Sequence, residues 1–417
     1  MPRRPAAAAS RSGREVSGAS PRVLYLDHHA TTPVDPRVMD VMAPLFTERF
    51  GNAASHTHAI GWRAEAVVEV AREQIAAALG AEDPRTIVFT SGATESNNLA
   101  LLGAVRASRQ ERPHVVTVAS EHPAVLDPCR ALEAAGARLT VLPVDGNGLI
   151  DPTAVAEAIQ DDTVVVSVMA ANNEIGVLQP LKEIGEVCAE RGVLLHSDAA
   201  QAVGKIPLDV DENGIDLLSV SGHKLYAPQG IGVLYVRRRK AGKRIRLEPL
   251  QYGGGHEWGL RPGTLPMPLI GGLARAIELA ANEREEEGAR LSKLRELLLA
   301  GLRAEIPDLL VNGHPTRRLP GNLNVTLPGA RAEALLSALH DVAISSGSAC
   351  SSARPEPSHV LRALGHPDER IACSVRIGLG RFTTEGEIGR AVARITEEAQ
   401  KLREGGFRQA DPSGGVR

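Results

Sequence analysis

Five short stretches of this chain carry residues able to do chemistry. In Ser91-Gly92-Ala93-Thr94-Glu95-Ser96-Asn97, glycine lets backbone approach a ligand, the free N–H groups of a helix start point at an anion, and Thr94 adds a hydroxyl donor. The same residues also serve an ordinary helix cap. Glu121-His122 offers an imidazole for stacking and proton exchange, or a satisfied loop histidine. Asp198 and Ser221-Gly222-His223-Lys224 each follow an apolar run. A carboxylate there can keep a heterocyclic nitrogen protonated, and a lysine beside it can form a Schiff base with an aldehyde. Singly they read as a cap and a solvated charge; beside an anion cradle they describe a pyridoxal phosphate site. The fifth stretch, Ser345-Ser346-Gly347-Ser348-Ala349-Cys350-Ser351-Ser352, sets one cysteine among small polar residues. A nucleophilic thiolate needs such access, whereas a structural cysteine sits in an apolar run.

These residues need a scaffold, and the chain supplies an alternation of helix and strand patterns over 36–239. Strand-like runs at 86–90, 114–119, 138–141, 163–169, 193–196, 216–220 and 232–236 predict one mostly parallel seven-stranded sheet, an α/β architecture with helices on both faces. Ligands bind outside the carboxyl ends of such strands, which is where four of the five stretches lie. Ala64, Val67, Val68, Ala71, Ile75, Ala78 and Leu79 recur at helical spacing and stop at Gly80. A helix is predicted over 98–105, and a long amphipathic one over 280–299. Runs at 319–327 and 332–339 begin a smaller α+β unit ending near Leu402. The expected organisation is a large domain over 34–283, a small domain made of 21–33 and 284–405 that carries Cys350, and disordered tails at 1–20 and 406–417.

With 417 residues, 43% hydrophobic and 23% charged, the chain is long enough for two packed domains. A net charge of −3 with no long basic face argues against nucleic acid as a direct partner. No apolar run approaches the ~18–20 residues of a membrane helix. Cys129, Cys188, Cys350 and Cys373 show no metal-like spacing, so a reducing, cytoplasmic setting is expected. The Ala-, Arg- and Ser-rich first 20 residues suit a disordered tail or an organelle transit peptide. His28-His29 and His56-Thr57-His58 lack a supporting ligand set, and no resident metal is expected.

Several blocks extend these stretches. They are Tyr25-Leu26-Asp27 with Ala30-Thr31-Thr32-Pro33, residues 90–97, Glu121-His122, Asn172-Asn173-Glu174-Ile175-Gly176, residues 198–201, residues 221–224, Arg261-Pro262-Gly263-Thr264, residues 345–350 and Arg376. In this order, over 23–402, they resemble cysteine desulfurases of the NifS/IscS type, in the class V aminotransferase group of fold-type I pyridoxal phosphate enzymes. The cysteine segment with Glu356-Pro357-Ser358 and Val360-Leu361-Arg362-Ala363-Leu364-Gly365 resembles group I, whose catalytic loop is the longer one.

The resemblance implies that Lys224 carries the cofactor, Asp198 pairs with its ring nitrogen and His122 stacks on the ring. Asn173 and Gln201 would lie near the phenolic oxygen, while Ala93, Thr94, Ser221 and His223 hold the phosphate with Thr264 of a neighbouring subunit, which makes a homodimer. Arg376, with Asn173, would bind the carboxylate of L-cysteine. Lys224 would move the Cα proton and Cys350 would attack the substrate sulfur, giving alanine and a Cys350 persulfide. The acceptor would be an iron–sulfur scaffold or a tRNA-thiolating enzyme, with Cys350 standing at an iron–sulfur cluster during transfer. Ala53 replaces a proline common among relatives, and the chain ends sooner than the scaffold-binding branch does. A selenocysteine lyase or a plain class V aminotransferase would use the same cofactor residues, and a non-catalytic binding protein would need none of them.

Overall fold

The computed structural model describes residues 23–238, 243–346 and 357–409. Cys350 and the tail at 1–20 lie outside the described residues, as does 410–417. The chain opens with β1 (Leu24–Tyr25), α1 (Pro36–Thr47) and α2 (Ala59–Ala78), then alternates through β2 (Ile87–Thr90), α3 (Ala93–Ala107), β3 (His114–Val118), α4 (Pro123–Ala134), β4 (Arg138–Leu142), α5 (Pro152–Ala158), β5 (Thr163–Ser167) and α6 (Leu181–Arg191). Then come β6 (Leu194–Asp198), β7 (Leu217–Ser221) and β8 (Gly232–Val236).

These seven strands, β2 to β8, form one sheet in the order β2-β8-β7-β6-β5-β3-β4. Successive side chains on a strand point to opposite faces. Here both faces are apolar: Val116, Val118 and Val166 enter one buried cluster, Val115 and Val165 another. Near-continuous Val/Leu runs therefore suit a sheet covered on both sides, each buried side chain contributing ~1.5–3 kcal/mol. The pairs β3/β4, β3/β5, β5/β6 and β6/β7 are parallel, while β8 is antiparallel to both β2 and β7. The carboxyl ends of β2, β3, β5, β6 and β7 thus share one edge, and the reversed β8 brings its preceding turn to that edge.

The long helix α7 (Met267–Glu305) leads out of this core. It spans about 58 Å at 1.5 Å per residue, well beyond the predicted 280–299. Gly271-Gly272 looks like a break in sequence. In the fold these residues let α1 come close, since a Cβ at Gly272 would stand 2.4 Å from Met42 Sδ and one at Gly271 2.9 Å from Leu45 Cδ1. The first half of α7 packs into the sheet core and the second half into a separate cluster.

That second cluster is built by β9 (Leu310–Val311), β10 (Asn322–Thr326), α8 (Ala332–Ala338), β11 (Val342–Ala343), β12 (Ser374–Gly378) and α11 (Glu385–Gln409), while α9 (His359–Ala363) and α10 (Asp368–Ala372), between β11 and β12, bury Val360, Leu361 and Ile371 in a smaller cluster with Ile175 and Val177. β12, β10 and β9 form an antiparallel sheet, and β1 pairs with β11, so Leu24 and Leu26 join this core from the other end of the chain.

Two predicted boundaries need correction. α3 begins at Ala93 rather than Asn98, because Ser96 and Asn97, poor helix formers on propensity, are buried inside it. α11 runs to Gln409, so 406–409 is helical rather than part of a disordered tail; a glycine costs a formed helix only ~1 kcal/mol.

Candidate active site

The residues after five strands wall one cavity of about 410 Å3, a size typical of small-molecule sites. β2 is followed by Ser91 to Glu95, β3 by His122, β5 by Met169 and Asn173, β6 by Ala200 and Gln201 beside its last residue Asp198, and β7 by His223 and Lys224 beside its last residue Ser221. The turn before β8 adds Gln229 and Gly230, and the segment after β1 adds Ala30. That segment fastens the lysine turn. Thr32 donates from N and Oγ1 to His223 O, both at 2.9 Å, and its Oγ1 accepts from Tyr226 N at 2.8 Å.

Asp198 is 5% exposed. One carboxylate oxygen accepts from Asn97 Nδ2 at 2.7 Å and the other from Ala200 N at 2.9 Å, so each keeps a lone pair for a further donor. Beneath it, Glu121 accepts from Met169 N through Oε1, while Oε2 has no partner. Burial and then the Asp198 charge push Glu121 well above the usual carboxylate range, so it is a neutral acid. His122 caps α4, its Nδ1 accepting from Ala124 N at 3.0 Å, which leaves the ring proton on Nε2. Burial and then the Lys224 cation lower its pKa. His223 is held at about 4 by burial and by the charges of Lys224 and Lys205.

At the other end of the cavity, α3 starts at Gly92 without a side-chain cap, and Ser96 N is the first amide to reach back, to Gly92 O at 3.1 Å. The amides of Ala93, Thr94 and Glu95 therefore have no helical acceptor. β8 lies flush against this start: a Cβ on Gly232 would fall 2.5 Å from Gly92 Cα and 2.5 Å from Val220 O. Glu95 is turned aside to Ser91 N at 2.6 Å and to Arg261 Nε at 2.9 Å. Burial opposes its ionisation, but these donors hold it below the usual range. The cavity thus offers uncapped amides for an anion, a carboxylate with spare acceptor capacity, a neutral imidazole and a lysine. These residues fit pyridoxal phosphate, anion at α3 and carbonyl at Lys224.

A family model described as Aminotransferase class-V matches residues 24–390. The chain belongs to the aminotransferase class-V family. It is 52% identical to a cysteine desulfurase of Rattus norvegicus over 383 residues, 92% of this chain and 84% of the relative. It is 51% identical to a cysteine desulfurase IscS of Rickettsia bellii over 381 residues, 91% of this chain and 92% of that one. Among solved structures, a NifS-like protein superposes with a TM-score of 0.84 at 34% identity, covering 91% of this chain and all of that one. Class-V aminotransferases and cysteine desulfurases use pyridoxal phosphate, in agreement with the cavity.

In this class-V chain, Ala93, Thr94, His122, Asn173, Asp198, Gln201, Ser221, His223 and Lys224 all line the cavity. Thr264 does not; it is exposed on a loop outside it. Arg376 is 1% exposed and stands off the wall, its Nη1 donating to Asn173 O at 3.0 Å and its Nη2 to Asp27 Oδ1 at 2.8 Å, with Nε unpartnered. Cys350 lies outside the described residues. Burial pushes the thiols of Cys129 and Cys188 up to about 12 and raises that of Cys373, so all three are poor nucleophiles. Among the described residues no group of three or more His, Cys, Asp or Glu is placed to hold a metal. The roles of Asn97, Glu95 and Lys205 are not visible in the sequence. A buried asparagine inside a helix is a signal only once the helix start is known, and the partners of the other two are set by the fold.

Proposed function

We propose that this protein is a pyridoxal-phosphate-dependent cysteine desulfurase, taking sulfur from L-cysteine and releasing L-alanine. The observation that carries this is the meeting of Asp198, Lys224, His122 and the uncapped start of α3 in one cavity; relatives at about 50% identity bearing that name support it. Bound at Lys224, the cofactor supplies an electron sink for bond breaking at the substrate Cα. The chain does the rest. The amides of α3 with Thr94, Ser221 and His223 hold the phosphate, and Asp198, steadied by Asn97, holds a proton on the ring nitrogen. Lys224 Nζ moves the Cα proton. The neutral His122 ring lines the cavity, where it would stack on the cofactor with its Nε2–H to offer.

Arg376 takes the substrate carboxylate, its Nη2 exchanging Asp27 for it; the unpartnered Nε supports a second contact. Asn173, whose carbonyl already holds Nη1, lies beside it. The Cys350 thiolate forms a bond to the substrate sulfur, the carbon–sulfur bond breaks, and its electron pair stays on carbon, to be protonated as alanine. The persulfide passes to an iron–sulfur scaffold or a tRNA-thiolating enzyme.

A homodimer with composite sites is supported by the exposed Thr264 and by exposed Phe46, Phe50, Ile60 and Trp62 around α1 and α2. The two apolar cores support a division into 34–283 and 21–33 with 284–405. No helix among the described residues is long and apolar enough to cross a membrane, and a cytoplasmic location accords with that.

The test is an assay of alanine and sulfide from L-cysteine with a reductant, on wild type and Lys224→Ala. Wild-type turnover that disappears with the visible absorption of the bound cofactor in the variant is the expected result. A variant that stays coloured and active would sink the assignment of Lys224.

A further inference from the structure

After β6 the chain makes a tight coil in which Val203 N donates to Ala199 O at 3.1 Å and Lys205 N to Ala202 O at 3.0 Å. This puts Gln201 and Lys205, four residues apart, on the same side. Lys205 Nζ donates to Gln201 Oε1 at 2.8 Å. The same oxygen meets His29 Nδ1 at 3.2 Å, and Gln201 Nε2 donates to His29 O at 2.8 Å. An ammonium is a donor only and an amide oxygen has two lone pairs, so Oε1 is fully used and His29 Nδ1 carries the ring proton. One valence of the amide remains, the second Nε2–H, and Gln201 lines the cofactor cavity.

We infer that Lys205 is a positioning residue of the cofactor site, whose ammonium fixes and polarises the Gln201 amide from behind so that its free Nε2–H is a stronger donor toward the cofactor. The inference rests on the cofactor reading above. Polarisation along a hydrogen-bonded chain strengthens its far end. On its other side Lys205 lines a second, small cavity of about 30 Å3, room for about two waters. That cavity is also lined by His28, His29 and Arg284, whose Nδ1, Nε2 and Nε atoms have no partner.

The charged groups facing Lys205 are Lys224 after β7, Arg376 on β12, Arg381 after β12, and Arg284 and Glu287 on α7, with Arg381 Nε donating to Glu287 Oε2 at 2.8 Å, and the Tyr226 phenol in the same wall is kept protonated by burial. His28, His29 and His223 are neutral through burial. Burial first, then the Lys224 charge, bring Lys205 down to about 7, with Glu287 opposing. The charge behind Gln201 therefore changes near neutrality. A positive charge there favours an oxygen anion in front of the amide and disfavours a proton on the nearby Lys224 nitrogen. Both effects lower the pH at which the absorption of bound cofactor changes.

The test titrates apoprotein with pyridoxal phosphate and follows the visible absorption of the loaded protein against pH. Lys205→Met removes charge and donor, Lys205→Gln removes charge alone, and Lys205→Arg keeps both. Met and Gln variants are expected to bind one cofactor per chain about tenfold more weakly and to raise the absorption midpoint by about one pH unit. Arg should restore it. In a Gln201→Leu background the shift caused by Lys205→Met should fall by at least half. If wild type takes up no pyridoxal phosphate, the cofactor reading fails and this one with it. If wild type loads normally and both charge-removing variants keep its midpoint, this inference alone is overturned, and a shift undiminished in the Gln201→Leu background overturns the route through the amide. Should Lys205→Met not fold, Lys205→Gln, which keeps a polar donor on Gln201, decides the same question.

Discussion

Replacing Asp198 with asparagine removes one negative charge and almost no volume. The fold can absorb the change, because Asn97 presents Nδ2 to Asp198 while its own Oδ1 is buried without a partner. If Asn97 turns over, Oδ1 accepts from the new amide, and Ala200 N keeps its acceptor at the other position. What is lost is the charge opposite the ring nitrogen. Asp198 is 5% exposed, so screening is weak. Two unit charges at a hydrogen-bond separation of ~3 Å with an effective dielectric of ~20 interact by ~5 kcal/mol. The asparagine oxygen still offers a dipole, which makes this a ceiling. At ~1.4 kcal/mol per decade, kcat/KM for alanine formation should fall by about three orders of magnitude. The same substitution removes one of the two causes that keep Glu121 neutral, so its carboxyl should ionise at lower pH than in wild type. The assay is steady-state alanine production at saturating cofactor, with cofactor content measured on the same sample. A fall below about tenfold in a fully loaded variant would refute the pairing of Asp198 with the ring.

Cys350→Ser should still bind cofactor and give a spectral response to L-cysteine, yet form almost no alanine, because a serine hydroxyl is neither ionised nor sulfur-affine at neutral pH. Mass spectrometry of wild type should place one added sulfur on Cys350; sulfur on Cys129, Cys188 or Cys373 would contradict the assignment. Gly232→Ala forces a methyl against two backbone atoms at 2.5 Å, so it should cost ~1–3 kcal/mol and, by moving Gly92, weaken cofactor binding; calorimetry with cofactor titration measures both, and unchanged affinity would mean that the start of α3 is not the anion site. Glu257→Ala takes from Arg72, 3% exposed, its buried carboxylate partner, leaving it Glu69 at the surface and Ile87 O, and frees Phe89 N. Urea unfolding should show a loss of ~3–5 kcal/mol with little change in KM.

The parts of the site legible in sequence are contiguous with a strand. An apolar run and the turn after it are neighbours in the chain, and ligands gather at the carboxyl ends of parallel strands, so Thr94, His122, Asp198 and Lys224 are found without knowing the fold. Tertiary structure alone decides what holds them. Asn97 reaches Asp198 across 101 residues and Arg376 reaches Asp27 across 349, and no local pattern specifies either pair. The amide of Gln201 owes its orientation to Lys205 beside it and to His29 from another part of the chain. Helix length follows the same division. Local propensity stops α7 at its glycines, a matter of ~1 kcal/mol each, whereas close packing against α1 makes those glycines the residues that fit. Periodicity is a property of neighbours along the chain. Which distant donor meets which carboxylate depends on how two cores and one long helix settle against each other.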